Sequence, residues 1–473
     1  TCDNGIASET AVTRAKELGM TVIVTDHHEV PCEVTENGEK NYLYVNADAV
    51  IDPHRPDCAY PYKGLCGAGV AYKFIRHLYR AMELPWEDED AYMDILALGT
   101  VCDIMPLTDE NRIFVKRGLR RLTNSTNLGI NALKKALGLD GKPIEVHHLS
   151  FRIGPSLNST GRLESAKEGV ELLLTDDPAR AESLAQDMAK LNELRKEMTD
   201  RGVRAATDWV RKDIRMIPTE DGVKEKEIGD DKVIVLYMPG IHESIAGLIA
   251  SKLKEAFYRP TLVFTDAENG QGLKGSGRSI ETYNMFDKLC EHKELFVKVG
   301  GHPMAAGFTI TREALEPLRE ALNRDCNLTD ADLVEKLYVD ESCAIKQLTL
   351  PLYEELAKLE PYGTANVRPL FGIVKMGIRS IKMVGNEEQY ARCTFVDGNG
   401  TRINGMVFRG KELLDNIKVW FGDKECDKIL KGLQNHALID ILYHMKKNEF
   451  NGTVSIQMEP VSIRKSVYYE TSK

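Results

Sequence analysis

The stretch Met20-Thr21-Val22-Ile23-Val24-Thr25-Asp26-His27-His28 decides the fold of the N-terminal region. Its first part is an unbroken apolar and β-branched run, which is typical of a buried strand in a parallel sheet. A helix pattern over residues 9–18 precedes it, and such alternation indicates a sheet flanked by helices. Since open parallel sheets bind ligands at the carboxyl ends of their strands, the Asp-His-His triplet is expected to face a crevice.

A second apolar run, residues 95–101, is interpreted as another strand of this sheet, with Asp103 just beyond its end. Asp3 is placed at a further strand end. Carboxylates and imidazoles suit manganese, magnesium or zinc, and two divalent ions can activate a water and neutralise the leaving oxygen in phosphodiester hydrolysis. One such residue alone is more often a structural hydrogen-bonding group. Three such positions on one edge favour a metal site.

The rest of the chain is interpreted as a long helix and two further folded regions. Asp177 and Pro178 supply helix-start chemistry for a connecting helix that ends near residue 212. Residues 213–231 are charged and contain Gly and Pro, so an exposed loop or hairpin is expected. Strand and helix patterns repeat over residues 232–327, which predicts a second α/β domain. From about residue 371, short strands separated by turns predict a small β-barrel of the oligonucleotide-binding type.

Composition narrows the class of protein. A chain of 473 residues is expected to form about three domains. Its ten cysteines include no C-x-x-C pair, so neither a zinc ribbon nor a dense disulfide framework is indicated. No apolar run approaches the roughly 20 residues of a membrane helix, and a cytoplasmic location is expected. The net charge is -10, yet residues 361–465 hold 16 Lys and Arg against 11 Asp and Glu, which predicts a basic surface in that region.

Two glycine-rich segments, residues 273–279 and 299–307, are candidate phosphate sites. Glycines let backbone N–H groups approach a phosphate, and Arg278 offers a forked donor, although either segment alone is more often a turn. In the barrel, cations interleave with aromatic residues, a combination that binds single strands, although most of these aromatics are expected in the core. The residues concerned are Lys375, Arg379, Lys382, Arg392, Arg402 and Arg409 with Tyr390, Phe395 and Phe408.

Three motifs carry a specific resemblance to a known family. They are Thr1-Cys2-Asp3-Asn4-Gly5-Ile6, Thr25-Asp26-His27-His28 and Gly99-Thr100-Val101-Cys102-Asp103-Ile104-Met105-Pro106-Leu107. In this order they resemble successive motifs of the RecJ branch of the DHH phosphoesterase superfamily. The resemblance implies that Asp3, His27 and Asp103 bind Mn2+ or Mg2+, with two ions in the complete site. It also implies that Asp26 and His28 orient ligands or approach the scissile phosphate.

Segments further along the chain resemble the same family. Residues 154–163 are similar to a RecJ segment in which Arg162 would face the substrate, with turn glycines and a surface ion pair as the alternative. Ser156 stands there in place of the family's usual Arg. The glycine-rich segments resemble the DHH-associated domain, which implies that Ser276, Arg278 and His302 hold the 5′ end of the strand. His242 lies where the family has a cleft-facing His, and capping a helix is its alternative role.

The predicted architecture is therefore an α/β fold followed by a barrel. Residues 361–369 resemble the family's lead into that barrel, and Ala365 and Val367 depart from its pattern. The predicted divisions are a parallel-sheet DHH domain (1–176, incomplete at its N-terminus), a connecting long helix (177–212), a second α/β DHH-associated domain (232–327), and an oligonucleotide-binding β-barrel with a helical lead-in (335–465).

The implied activity is 5′→3′ hydrolysis of single-stranded DNA in repair and recombination. Single-stranded DNA is the expected partner, a helicase and a single-strand-binding protein are further candidates, and no membrane is expected. Because the chain opens at Thr1 within a motif, an upstream Asp-x-Asp pair is expected to be missing and this chain is predicted to be nearly inactive. Two alternatives are a DHH phosphodiesterase of short oligonucleotides or cyclic dinucleotides, for which the barrel is unexpected, and a non-catalytic replication scaffold, for which the retained metal ligands are unexpected.

Overall fold

The computed structural model describes residues 1–467 apart from 36, 38, 87–89, 164–165, 220–221, 228–230, 269, 271 and 451. The chain packs as two compact units, Thr1–Leu122 together with Leu337–Lys473, and Thr123–Lys336. These units describe packing, and the domain boundaries drawn from the sequence stay predictions. None of the described helices combines the length and the apolar character that crossing a bilayer requires.

The helices are α1 (Glu9–Glu17), α2 (Gly67–Ala81), α3 (Met93–Cys102), α4 (Asp109–Thr123), α5 (Leu128–Ala136), α6 (Val146–His148), α7 (Gly154–Leu163), α8 (Lys167–Leu174), α9 (Pro178–Arg211), α10 (Ala246–Phe257), α11 (Met285–Cys290), α12 (Leu315–Arg324), α13 (Leu350–Ala357), α14 (Gly410–Phe421) and α15 (Asp423–Leu430). A π-helical turn, Leu149–Ile153, joins α6 to α7. Single 3-10 turns lie at Glu243–Ile245, Lys293–Leu295 and Ile345–Gln347.

The strands are β1 (Ile23–Thr25), β2 (Cys32–Val34), β3 (Lys40–Tyr42), β4 (Ala49–Ile51), β5 (Ile214–Thr219), β6 (Gly222–Glu227), β7 (Ile234–Tyr237), β8 (Thr261–Asp266), β9 (Leu273–Arg278), β10 (Lys298–His302), β11 (Ala305–Ile310), β12 (Glu341–Ser342), β13 (Phe371–Val384), β14 (Tyr390–Val396), β15 (Arg402–Val407), β16 (Leu438–Phe450) and β17 (Thr453–Lys465).

A short parallel strand pair lies in the N-terminal region of the first unit. Strand β1 pairs with β4 in parallel, and Cys2 forms a further parallel bridge to Thr25. Val24 is fully buried and packs with Val12 of α1, so the predicted parallel strand is confirmed, but it is shorter than the apolar run and Ile23 within it is exposed. The backbone N–H of Asp26 donates to the carbonyl of Ile51 in β4, which places the triplet at the carboxyl end of this pair.

The second predicted strand of this sheet is wrong, because residues 95–101 lie in helix α3. An unbroken apolar run has no periodicity that separates a buried strand from a buried helix. Helix α3 is apolar on nearly every face because it is enclosed by its neighbours. Gly118 allows helix α4 to pack closely against α3, since a Cβ atom at Gly118 would stand 2.3 Å from Cβ of Ala97. Asp103 therefore follows a helix and not a strand.

The second unit is built on a long helix and a mixed sheet. Helix α9 begins as predicted, with the Asp177 side chain accepting from the backbone N–H of Ala179 and with Pro178 in the first turn. The sheet has the order β10-β11-β9-β8-β7, and its one parallel pairing among the described strands joins β7 to β8. Residues of α9 and α10 pack with one set of sheet side chains, and α11 and α12 pack with the other set. The predicted second α/β domain is confirmed.

Strands β5 and β6 pair as an antiparallel hairpin in the region where an exposed loop or hairpin was expected, but the described residues there are not exposed throughout. Arg215 is buried, with its Nη2 atom 3.7 Å from Oδ2 of Asp231. Arg319 of α12 is buried on the other side of the same carboxylate. Burial raises the pKa of Asp231 and lowers the pKa of Arg215, although their ion pair opposes both changes. Helix α12 thus supplies a buried partner that local sequence gave no reason to expect.

The C-terminal region of the first unit is a closed barrel. The strands follow the order β13-β14-β15-β17-β16, and pairing of β13 with β16 closes the circuit. The predicted barrel and its turns are confirmed, except that Asn451 of the predicted final turn lies outside the described residues. Helices α14 and α15, which the sequence interpretation did not assign, pack Leu413, Ile417 and Ile429 into the barrel core.

Candidate functional site

Three of the predicted metal ligands converge in the first unit. The Nε2 atom of His27 lies 2.9 Å from Oδ1 of Asp3 and 3.4 Å from Oδ2 of Asp103. Asp3 adopts a left-handed backbone, with φ of 60°, and its N–H donates to the carbonyl of Thr25. Gly67, the first residue of α2, makes room for it, because a Cβ atom there would stand 2.3 Å from the Asp3 carboxylate. A strand, a helix end and a glycine together build this arrangement.

Asp26 and His28 belong to the same cluster, with Asp26 buried and His28 exposed. The buried carboxylate of Asp26 accepts from the backbone N–H of Ile6 at 2.9 Å and contacts Nδ1 of His28 at 2.7 Å. Burial by itself raises the pKa of Asp26, but these hydrogen bonds and those from the N–H groups of His27 and His28 outweigh it, so the pKa is lowered. The contact with Asp26 raises the pKa of His28. Asp26 is therefore a fixed anion that orients the His28 ring.

The donor set fits a divalent cation. Ligand atoms of Asp3, His27 and His28 lie within 4.8 Å of one another, the one such group among the described residues. Burial, followed by the charge of Asp3, raises the pKa of Asp103, while His27 opposes this change. A dication between the two carboxylates would relieve their repulsion. Carboxylate oxygens with imidazole nitrogens are a ligand set that Mn2+ accepts, and the oxygens also suit Mg2+.

Asp52 is a neighbouring carboxylate that the sequence interpretation missed. It directly follows β4, just as Asp26 directly follows the parallel strand β1, and that shared position was the available signal. Its side chain is buried, and Oδ1 accepts from the backbone N–H of His54 at 2.8 Å. Oδ2 has no hydrogen-bond partner among the described residues. Burial is the main reason that the pKa of Asp52 is raised, and the charge of Asp26 adds to it.

In the second unit, the three predicted phosphate-binding residues share one face of the sheet. Arg278 pairs with Ala305, which in turn pairs with His302, and directly paired residues point to the same face. Ser276 lies two residues from Arg278 on that face, and the guanidinium donates to the Ser276 hydroxyl at 2.9 Å. The sheet therefore brings Ser276, Arg278 and His302 to a common surface.

The glycines of this sheet serve two different purposes. Gly300 and Gly307 are paired on the same face as Ser276, and a Cβ atom on either would meet nothing within 4 Å. They leave a surface of bare backbone. Gly275 and Gly277 point to the opposite face, where Cβ atoms would collide with Phe308 and with Met285. The glycines of both segments lie in strands and not in turns, although the second segment also contains the turn at Pro303 and Met304 that joins β10 to β11.

Two lysines extend this face beyond the predicted residues. Thr309 pairs with both Lys274 and Lys298, which puts the two ammonium groups on the side that carries Ser276. Lys274 forms an ion pair with Glu243, and Lys298 is exposed. Period-two alternation along β9 and β10 was the signal that could have identified them.

His242 and Arg162 have separate outcomes. His242 begins the 3-10 turn at Glu243, where its Nδ1 atom accepts from the backbone N–H of Ser244, so it occupies the capping position. Its Nε2 atom lies 3.1 Å from the carboxylate of Glu268. The backbone of Arg162 lies in α7, but its side chain lies outside the described residues. Because residues 154–163 are helical, the turn interpretation of that segment is wrong, and Ser156 is fully buried within it.

The barrel presents a mixed cationic and aromatic face on β13, β14 and β15. Lys382 pairs with Arg392, and Arg392 pairs with Met406, so these side chains lie in one row outside the barrel. Tyr390 and Phe408 are exposed and stack edge to face with ring centroids 5.8 Å apart. Most of the three aromatic residues were expected to lie in the core. Phe395 does, whereas Tyr390 and Phe408 do not. The other predicted cations are also exposed, namely Lys375, Arg379, Arg402 and Arg409.

Comparison with known proteins identifies the family. The DHH family N-terminal domain model matches residues 1–100, the DHHA1 domain model matches residues 230–327, and the RecJ OB domain model matches residues 339–461. The single-stranded-DNA-specific exonuclease RecJ of Dickeya dadantii is 32% identical over 478 residues, which covers 97% of this chain and 76% of the relative. This chain belongs to the RecJ family.

Other RecJ proteins agree in sequence and in structure. The Bacillus subtilis RecJ is 33% identical over 88% of this chain and 49% of that protein. The crystal structure of Thermus thermophilus RecJ in complex with Mn2+ matches with a TM-score of 0.76 and 26% identity, over 99% of this chain and 62% of that chain. This RecJ-family chain therefore spans about half of the Bacillus protein and about three fifths of the Thermus chain. The predicted family, fold class and domain order are confirmed.

Proposed function

We propose that this protein hydrolyses phosphodiester bonds of single-stranded DNA from a 5′ end, in DNA repair and recombination, with Mn2+ or Mg2+ at the cluster around His27. The observation that carries the proposal is the approach of Asp3 and Asp103 to the same imidazole nitrogen, at 2.9 and 3.4 Å. The relatives are named single-stranded-DNA-specific exonucleases, and similar RecJ structures contain Mn2+ or Mg2+.

Each residue has a proposed task. Asp3, His27 and Asp103 hold the metal, which when bound lowers the pKa of an attacking water and stabilises the leaving oxygen. His28, oriented by the buried Asp26, lies beside these ligands and can donate to a phosphate oxygen, since its pKa is raised. Ser276, Arg278 and His302 hold the terminal phosphate, because a forked guanidinium matches phosphate oxygens. Arg162 is a further proposed contact on the family resemblance, and His242 a weaker one because its Nδ1 atom caps a turn.

The barrel is proposed to bind the strand that awaits hydrolysis. Exposed cations can follow the phosphates, and Tyr390 and Phe408 can stack on bases. This face favours a long strand as the substrate. A dinucleotide would be the substrate if the protein were instead the small-substrate DHH phosphodiesterase. The carboxylate and imidazole groups retained around His27 favour an enzyme over a non-catalytic scaffold. Helicase and single-strand-binding protein partners, and a cytoplasmic location, stay predictions from the family resemblance.

The test is a product analysis. The full-length natural protein is incubated with Mn2+ and a long 5′-phosphorylated single strand, its duplex, or a dinucleotide, and products are separated by length. Mononucleotides released stepwise from the single strand alone are expected. Cleavage confined to the dinucleotide would favour the small-substrate phosphodiesterase. Strand binding without manganese binding or cleavage would favour the scaffold.

A further inference from the structure

A short loop connects the proposed metal ligand Asp103 to helix α4. Ile104 has φ of 57°, and the N–H of Met105 donates back to the carbonyl of Thr100, so the chain turns sharply after Asp103. The carbonyl of Pro106 accepts from the amide of the buried Asn111 at 3.0 Å. The loop is therefore held on the side that faces α4.

The other side of this loop contacts the chain that leads into the barrel. The backbone N–H of Leu107 donates to the carbonyl of Thr364 at 2.7 Å, and Leu107 is buried. Thr364 lies in residues 361–366, which we term the lead-in turn. Only four positions separate Leu107 from Asp103, and the Met105 hydrogen bond fixes the backbone between them. A shift of the lead-in turn would therefore move the backbone of Asp103.

Arg112 of α4 makes a second connection to the same region. Its guanidinium donates to the carbonyls of Lys358, Leu359 and Glu360, at 2.8, 3.3 and 3.2 Å. These carbonyls follow the end of α13, where a cation is favoured by the helix dipole. The forked donor geometry of arginine allows one side chain to bridge several acceptors, which lysine cannot reproduce.

The lead-in turn is itself closed by Asn366. Its side-chain amide donates to the carbonyls of Leu359 and Pro361, at 3.0 and 2.9 Å. The backbone of Gly363 and that of Asn366 hydrogen-bond to each other. The carbonyl of Leu359 thus accepts from both Arg112 and Asn366, so the two side chains hold one structure.

We propose that Arg112 and the lead-in turn form a brace that positions Asp103, so that the barrel's attachment sets the affinity of the metal centre. Arg112 is a positioning residue, since its hydrogen bonds among the described residues go to backbone carbonyls beyond α13. The inference rests on the proposed function for the identity of the metal centre. It assigns to the lead-in turn a role separate from strand binding.

The test compares Arg112→Ala, Arg112→Lys and Asn366→Ala with the control Arg120→Ala, which removes an exposed arginine from the same helix. Mn2+ binding is measured by titration calorimetry, strand binding by fluorescence anisotropy in EDTA, and unfolding by calorimetry. Arg112→Ala and Asn366→Ala are expected to weaken Mn2+ binding roughly 3- to 30-fold, with strand binding unchanged. Arg112→Lys should be intermediate, and Arg120→Ala should match the wild type.

The double variant Arg112→Ala/Asn366→Ala separates the brace from two independent effects. Both side chains hold the Leu359 carbonyl. The double variant should therefore lose less Mn2+ binding free energy than the sum of the losses in Arg112→Ala and Asn366→Ala. Unchanged Mn2+ affinity in Arg112→Ala and Asn366→Ala would overturn the brace, even if both unfold at lower temperature. Should Arg112→Ala fail to fold, Asn366→Ala and Arg112→Lys decide. Absence of Mn2+ binding in the wild type would instead overturn the proposed function.

Discussion

At the scale of single residues, the carboxylates of the metal cluster differ in what stabilises their negative charge. Asp26 is fully hydrogen-bonded and its pKa is lowered, whereas burial, together with the charge of Asp3, raises the pKa of Asp103. The two aspartates therefore suit different tasks. Asp26 is satisfied by the protein alone and can orient a ring, while Asp103 gains from a bound cation.

Substituting Asp103 tests this distinction. Asp103→Ala is expected to lower hydrolysis roughly 100-fold or more, because loss of an outer-shell partner alone costs up to about that much. Affinity for a single strand in EDTA should stay at the wild-type value. The measurements are a nuclease assay and fluorescence anisotropy. Hydrolysis at the wild-type rate would remove Asp103 from the metal site.

Asp52 predicts a dependence of stability on pH. Its pKa is raised above the ordinary 3.8, chiefly by burial. A carboxyl group whose pKa is higher in the folded chain than in the unfolded chain contributes its full stabilisation when the pH is below its unfolded-chain pKa. This stabilisation is lost as the pH rises through its folded-chain pKa. Asp52→Asn should therefore raise the melting temperature at neutral pH in EDTA. At a pH below 3.8, the ordinary pKa of the group, the substitution should give no such gain.

Its control is Asp57→Asn, nearby on the surface, where an ion pair with Arg55 lowers the carboxyl pKa. This variant should give no gain at neutral pH. A neutral-pH gain that is equal for Asp52→Asn and Asp57→Asn would contradict the role of burial.

At the scale of elements, local signals predicted some features and missed others. Helix α9 has a cap residue, a proline and a long polar face, so its start was predictable. Helix α3 is apolar on nearly all sides, so its sequence carried no period, and only its enclosure by other helices decides its structure. Asp231, the buried partner of Arg215, also contacts Arg319 of α12, which lies far along the chain, and no local pattern could reveal this second cation.

The lead-in turn contains a strained residue. Ala365 has φ of 59°, in the left-handed region that favours glycine. The left-handed conformation costs a residue with a Cβ atom about 1 kcal/mol, so Ala365→Gly should raise the free energy of unfolding by about that amount. The control Ala189→Gly, within helix α9, should instead lower the free energy of unfolding by about 1 kcal/mol. Chemical denaturation measures both, and a loss of stability in Ala365→Gly would contradict the strain.

The aromatic pair on the barrel gives a prediction for strand binding. Phe408 is half exposed and should stack on a base, so Phe408→Ala is expected to weaken single-strand binding by about 1–3 kcal/mol. Val419→Ala on α14, which removes an even more exposed apolar side chain, should leave affinity unchanged. Anisotropy titration compares the two, and equal affinities would assign Phe408 to another contact.

At the scale of the whole molecule, net charge is a poor guide to binding. The chain carries -10, yet exposed cations gather on the barrel face and on the sheet of β9, β10 and β11. Single-strand affinity is therefore expected to fall steeply with salt, by about 0.7 logarithmic units per tenfold rise in salt for each phosphate neutralised. Arg392→Ala should make this slope shallower by about that amount. An affinity insensitive to salt would contradict the cationic face.

The domain order and the convergence of Asp3, His27 and Asp103 were predictable because the motifs are continuous in sequence. The side on which a residue lies was harder to predict. Gly275 and Gly300 look alike in sequence, but one packs under Phe308 and the other leaves the sheet bare. Alternation along β10 could have placed Lys298 on the face of His302, but that this face also carries Ser276 depends on strand pairing across β11. Such pairing is a property of the folded sheet and not of any single segment.

The bare backbone at Gly300 and Gly307 bears on what a nuclease of this kind could discriminate. A surface without side chains offers no groups that read the edges of bases, and its peptide groups are the same beneath every nucleotide. An enzyme that holds its substrate there would be indifferent to base composition. It could degrade any sequence at a similar rate, and it would depend on other proteins to decide where degradation begins and where it stops.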